Sequence, residues 1–193
     1  MLETLAAAAT GIALAASAGL RAFLPLFAAG AAARWFQWPL ASAVSWLASD
    51  PALVIFGIAS TAEVLADKVP AVDHVLDLLQ SVLSPIAGAI AALSALQGWP
   101  APFALALAII VGAPVAGGFH AIGALTRVKS TAATAGAGNP VLSLAEDIVA
   151  AVLIVLAFLL PIVVVVVIAV LAWRWLRRRA GRQPGGRAEG ATP

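Results

Sequence analysis

The chain has 193 residues, of which 63% are hydrophobic and 10% charged, with a formal net charge of +2 and no cysteine. An average soluble domain is about 25% charged, so an ordinary soluble enzyme, a disordered chain and a nucleic-acid-binding module are all excluded. The missing cysteine removes disulfides, thiolate catalysis and cysteine-bound metals, and two histidines, His74 and His120, make a histidine-rich zinc site a poor fit. What remains is an all-α integral membrane protein, a polytopic helical bundle of four or five spans.

A hydrocarbon core of about 30 Å takes roughly 20 apolar residues as helix. Residues 5–33 predict the first span, interrupted only by Arg21, with Pro25 four residues on. Glu3 stands where a signal peptide would be basic, so this span is read as retained. Residues 34–50 hold Trp35, Phe36, Trp38 and Trp46 and predict an interfacial segment, because tryptophan gathers at the membrane–water boundary. The second span, 51–67, carries Glu63 and ends at Asp67. Val69, Val72, Leu76 and Leu79 give residues 69–80 the pattern of an interfacial amphipathic helix. Residues 82–98 are short and rich in Ala and Gly, so they either cross the membrane or re-enter it.

The next span, 102–126, carries His120, and the last, 143–173, is kinked at Pro161. Trp173 and Trp175 mark a boundary. Arg174, Arg177, Arg178, Arg179 and Arg182 follow and orient the C-terminus to the cytoplasm. The transmembrane domain is therefore 1–177, and 178–193 is a basic tail read as disordered and able to touch anionic lipid.

Two stretches echo each other. Ala18-Gly19-Leu20-Arg21-Ala22-Phe23 reads small, small, apolar, basic, Ala, apolar, as does Gly117-Gly118-Phe119-His120-Ala121-Ile122. Ser60-Thr61-Ala62-Glu63 is then answered by Ser143-Leu144-Ala145-Glu146. The pattern predicts an internal two-helix repeat, inverted if the chain crosses five times and parallel if it crosses four.

Ionisable groups in apolar spans cost several kcal/mol unless paired or hydrated, so they are the first candidates for function. Glu63 and Asp67 share a helical face, where a proton or cation could bind between them, with Lys68 adjacent; the bland reading is that Asp67 and Lys68 end the span. Arg21 with Pro25 predicts a broken helix lining a cavity, or else a structural ion pair with Glu63 or Glu146. His120 suits a proton relay or a simple hydrogen bond between helices. Ser143 and Glu146 fit a capping box, with Glu146 and Asp147 favoured at a helix N-terminus. Asp73, His74 and Asp77 suit an oxygen-ligated magnesium or calcium, but more simply face water from the interfacial helix. No metal and no cofactor is predicted. No phosphate-cradling loop, dinucleotide fingerprint, HExxH or nucleophile elbow is present.

Several stretches together resemble a bacterial membrane family, domain of unknown function 4126. They are Ser17 to Leu26, Glu63 to Pro70 with Asp73, Ser84-Pro85-Ile86-Ala87-Gly88, Lys129-Ser130-Thr131, Gly138-Asn139-Pro140 and Ser143 to Asp147. The resemblance covers roughly residues 5 to 165. It implies a compact multi-span protein of the bacterial inner membrane and no particular activity.

The leading expectation is a small transporter or channel for an ion or small solute. Its polar centre would be Arg21, Glu63, His120 and Glu146, with Asp67 at the mouth and Asp147, Lys68 and Arg127 in support. The alternatives are a non-transporting structural or assembly protein, whose charges fix helix register, and an intramembrane lipid-modifying enzyme using the carboxylates as acid or base. Expected partners are membrane lipid, a small solute, proton or cation, and a second copy of the chain, with no nucleic acid.

Overall fold

A computed structural model describes residues 2–67 and 70–180, with side chains over most of that length. All regular structure among them is helical. Hydrocarbon offers no partner to a backbone amide, so each segment satisfies its own. The order is α1 (Leu2–Leu20), α2 (Leu24–Phe36), a 3₁₀ helix (Ser42–Ala48), α3 (Asp50–Ala66), α4 (Pro70–Ser94), α5 (Ala101–Leu107), a π turn (Ala108–Gly112), α6 (Ala113–Thr134) and α7 (Asn139–Ala180). Four stretches are long and apolar enough to cross a membrane: Glu3–Leu20, Leu76–Ser94, Ala101–Thr134 and Asn139–Leu159. The 3₁₀ helix and α3 make a fifth as a pair bent by 72°. The chain divides into two compact units, Met1–Pro161 and Ile162–Pro193. The division falls at a proline inside α7, not at the start of the basic tail.

The first apolar block differs most from expectation. It is two helices, not one span. Arg21 to Phe23 leave the helix, and Pro25 sits in the first turn of α2, where its missing amide hydrogen costs nothing. α2 then turns back along α1. Gly30 lies against the Leu47 carbonyl and Gly57 against the Phe27 ring, so α2 and α3 run antiparallel. Ala41 N donates to Ser94 O at 3.3 Å, which sets the far end of α2 beside the far end of α4. Trp38 meets Phe158 edge-on at 5.2 Å there. At 13 residues, α2 is about 20 Å long, shorter than the hydrocarbon core.

The segments expected as an interfacial helix (69–80) and a doubtful span (82–98) are largely one helix, α4, with Pro85 inside it. Its Leu76–Ser94 portion passes as a crossing, so the block need not re-enter. The π turn follows from Pro114, which has no amide hydrogen for the Ile110 carbonyl; Ala113 N–H reaches five residues back to Ala108 O instead. Trp35, Phe36 and Trp46, around the α2–α3 corner, are exposed as expected of boundary aromatics.

The core of the first unit is built from small residues. Ala15, Ala18, Ala91, Ala116 and Ala157 are essentially fully buried. A Cβ on Gly19 would collide with the Ala116 carbonyl, one on Gly88 with the Ala116 side chain, and one on Gly112 would lie 2.7 Å from Ala92 Cβ. α1, α4 and α6 therefore touch backbone to backbone, as membrane helices do where lipid offers no hydrophobic drive between them. Large apolar side chains such as Phe103, Ile110, Val128, Val141 and Ile148 point outward instead. α1 and α7 are antiparallel in register. Thr10 Oγ1 donates to Ala157 O at 3.0 Å and Ser17 Oγ to Ala150 O at 3.1 Å, and Arg21 continues the series to Asp147. In the second unit, the Arg177 guanidinium lies 4.1 Å over the Trp173 ring.

Candidate functional site

These directions bring five helix ends together: the C-terminal ends of α1, α3 and α6 and the N-terminal ends of α4 and α7. Every buried charge in the described residues lies there. Arg21, at the end of α1, is completely buried. Its guanidinium pairs with Asp67 through Nη1 and with Asp147 through Nε at 2.5 Å, and Nη2 donates to the Ser143 hydroxyl at 3.1 Å and carbonyl at 3.3 Å. Arg127, on α6, pairs with Asp77 on α4, with Glu146 on α7 and with Asp67 at 3.2 Å.

Asp67 is thus the node between the two arginines. It caps the C-terminal end of α3, where the helix dipole disfavours an anion; two guanidiniums offset that cost. Its oxygens are unequal. Oδ2 accepts from Arg21, Arg127 and Ser143, while Oδ1 is buried and accepts nothing from the described residues. Far from lying at a mouth, the Asp67 side chain is 0% exposed.

Glu63 has a different task. One oxygen accepts from Ala22 N at 2.7 Å and from Gln80 Nε2 at 2.8 Å, and the other from Phe23 N at 3.2 Å. The break between α1 and α2 leaves those two amides without a helical acceptor, and the carboxylate supplies one. The broken helix predicted from Arg21 and Pro25 is present, with a side chain filling its gap. The ion pairs expected for Arg21 with Glu63 or Glu146 are not formed; the antiparallel register of α1 and α7 presents Asp147 to it instead.

The capping box is not formed either. α7 begins at Asn139, a full turn before Ser143, so Ser143 turns to Arg21 and Asp67, and Glu146 turns to Arg127. The two sequence echoes do converge, since Glu63 and Glu146 both reach this end. Yet α3 finishes here while α7 starts here, so no single rotation relates the two pairs of helices. Lys68 lies outside the described residues, as do the side chains of Asp73 and His74. Asp77, expected to face water, is three-quarters buried against Arg127. Among the described residues no three His, Asp or Glu side chains converge as around a metal ion.

A narrow cleft opens onto the cluster. It is small, about 10 Å³, room for about one water, and is lined by Gln80, His120, Arg127 and Glu146, with Gly19 and Gly123 giving the space. A Cβ at position 123 would stand 2.8 Å from Glu146 Oε1. His120 makes no hydrogen bond to the described residues; Asp77 and Arg127 are the charges that act on it. Gln80 and Ser143, buried and central, were not among the predicted site residues. Neither carries a charge, and Ser143 reads from the sequence as a helix cap. Arg127, expected only in support, is a hub.

Five carboxylates and two guanidiniums in an apolar bundle can fix helix positions, hold a proton or bind a small polar solute. The match to known families is consistent with such an arrangement but gives it no activity. No curated protein and no solved structure matches the chain. The family described as Domain of unknown function (DUF4126) matches residues 8–179, and over that length the chain, a membrane protein by its helices, belongs to it.

Proposed function

We propose that the protein is a small carrier or channel of the bacterial inner membrane for an ion or small polar solute. Its polar centre is Arg21, Asp67, Arg127, Glu146 and Asp147, and its basic C-terminus is cytoplasmic. The observation that carries this reading is the cleft. Arg127 and Glu146 belong both to the buried ion pairs and to the wall of a small polar recess that is not fully enclosed, so water can reach the charges. Glu63 supports a structural share in the same region, because its acceptors are taken up by backbone amides and Gln80.

The absence of cysteine makes the test direct. Single cysteines at His120 and Ala124, in the cleft, are compared with one at Ile122, which is exposed on the apolar exterior. A membrane-impermeant thiol reagent is applied to cells and to inverted vesicles. Labelling at 120 and 124 but not at 122 is the expected result. No labelling at 120 and 124 from either side would leave the cleft dry and sink the carrier in favour of a structural or assembly protein.

A further inference from the structure

Three features of the cluster point to what occupies it. Among the described residues, Glu63, Asp67, Asp77, Glu146 and Asp147 stand against Arg21 and Arg127, a formal excess of three negative charges in a largely dry site. Counting Lys68 as well would still leave the acids in excess. Asp67 Oδ1 is buried with no donor among the described residues, short of the partner that burial favours. Finally, the cleft brings a histidine without a hydrogen-bond partner to the edge of the same cluster, on the wall that also holds Glu146.

Excess negative charge in low dielectric is relieved by a cation. A dehydrated metal ion needs three or more converging ligands, and no such group exists among the described residues. The cation that needs only one acceptor is the proton. We propose, as a refinement that rests on the carrier reading, that the ion handled by this centre is the proton, entering by way of His120 and received at Glu146. An imidazole nitrogen takes a proton from hydronium in the cleft, leaving water. The imidazolium then gives it, directly or across one water, to a Glu146 oxygen, leaving a neutral imidazole and a carboxylic acid, so that protons and charge balance. Release of one Glu146 oxygen from Arg127 leaves that guanidinium paired with Asp67 and Asp77, which are among its other partners. Among the described residues, the groups facing His120 are Asp77 and Gln80 from α4, Arg127 from its own helix and Glu146 from α7, with Gly19 and Leu20 from α1.

Infrared spectroscopy of the protein reconstituted in lipid tests this without knowledge of any solute. A C=O stretching band of protonated carboxyl should appear as pH falls through the histidine range, from about 8 to about 6. Glu146→Gln should remove most of it. His120→Gln, which breaks no hydrogen bond in the described structure, should keep the band but slow its exchange into deuterium oxide about tenfold or more. A band absent from the wild type, one unchanged in a folded Glu146→Gln protein, or exchange unaffected by His120→Gln would each overturn the proposal. Thiol labelling in the cleft separates the two failures. With labelling positive and the band absent, the carrier stands and the proton does not; with labelling negative, the carrier itself falls.

Discussion

Arg21→Gln offers the sharpest test of how the buried charges hold the bundle together. The side chain is wholly buried and pairs with Asp67 and Asp147. Glutamine keeps the ability to donate toward Ser143 but removes the charge. Two carboxylates then lose a cationic partner, and the negative excess rises by one. Removing one partner of a buried pair costs about 3–5 kcal/mol; Arg127 still faces Asp67, but both acids lose their contact with Arg21. A shift of 1 kcal/mol moves the melting temperature by roughly 2–4 °C in a chain of this size, so the midpoint should fall by about 6–20 °C. The assay is size-exclusion chromatography of detergent-solubilised protein after heating. The partner experiment is Arg21→Gln with Asp147→Asn. Neutralising both ends also lowers the negative excess again, so the double variant should melt above the Arg21→Gln single variant, with a coupling of about 0.5–3 kcal/mol for groups in contact. A single variant melting within about 2 °C of wild type, less than a 1 kcal/mol loss would give, would refute the claim that Arg21 neutralises the cluster.

Two further outcomes follow from the geometry. Gly88→Val should sharply reduce folded protein, because even a Cβ there meets Ala116 and the Gly112 carbonyl, whereas Gly118→Ala, with nothing within 4 Å, should be neutral or stabilise by up to about 1 kcal/mol; yields and melting midpoints of the pair check this. Glu63→Gln should lower the midpoint by the equivalent of about 1–3 kcal/mol while leaving thiol labelling in the cleft intact, since an amide nitrogen cannot accept from Phe23 N; loss of labelling with unchanged stability would reverse its assignment from structure to transport.

Much of the fold was legible in apolar block length. The stretches read as the fourth and fifth spans lie inside α5–α6 and α7, because hydrocarbon thickness acts on any sequence in the same way. The chain reversal after α1 was not legible. Arg21 and Pro25 marked a break, but a break has no direction until α3 is present to receive α2. Site partners were hidden for a related reason. Hydropathy gives the height of Arg21 in the membrane, not the register that sets Thr10 on Ala157 and Ser17 on Ala150, and that register chooses Asp147 over Glu146 as its acid. Asp77 was misread because its neighbours look amphipathic, although its side chain faces Arg127 across the α4–α6 seam.

The cap on the α1–α2 break also dictates an order of assembly. The acceptor for Ala22 N lies 41 residues further along the chain, and that for Phe23 N lies 40 further. When α1 and α2 leave the ribosome, Glu63 has yet to emerge. Two bare amides cannot rest in hydrocarbon at a cost of several kcal/mol each. The hairpin must therefore wait, in the insertion machinery or at the water boundary, until α3 arrives. Residues 2–66 are expected to enter the membrane as one piece, and a chain cut between α2 and α3 should insert poorly even though each of its apolar helices is intact.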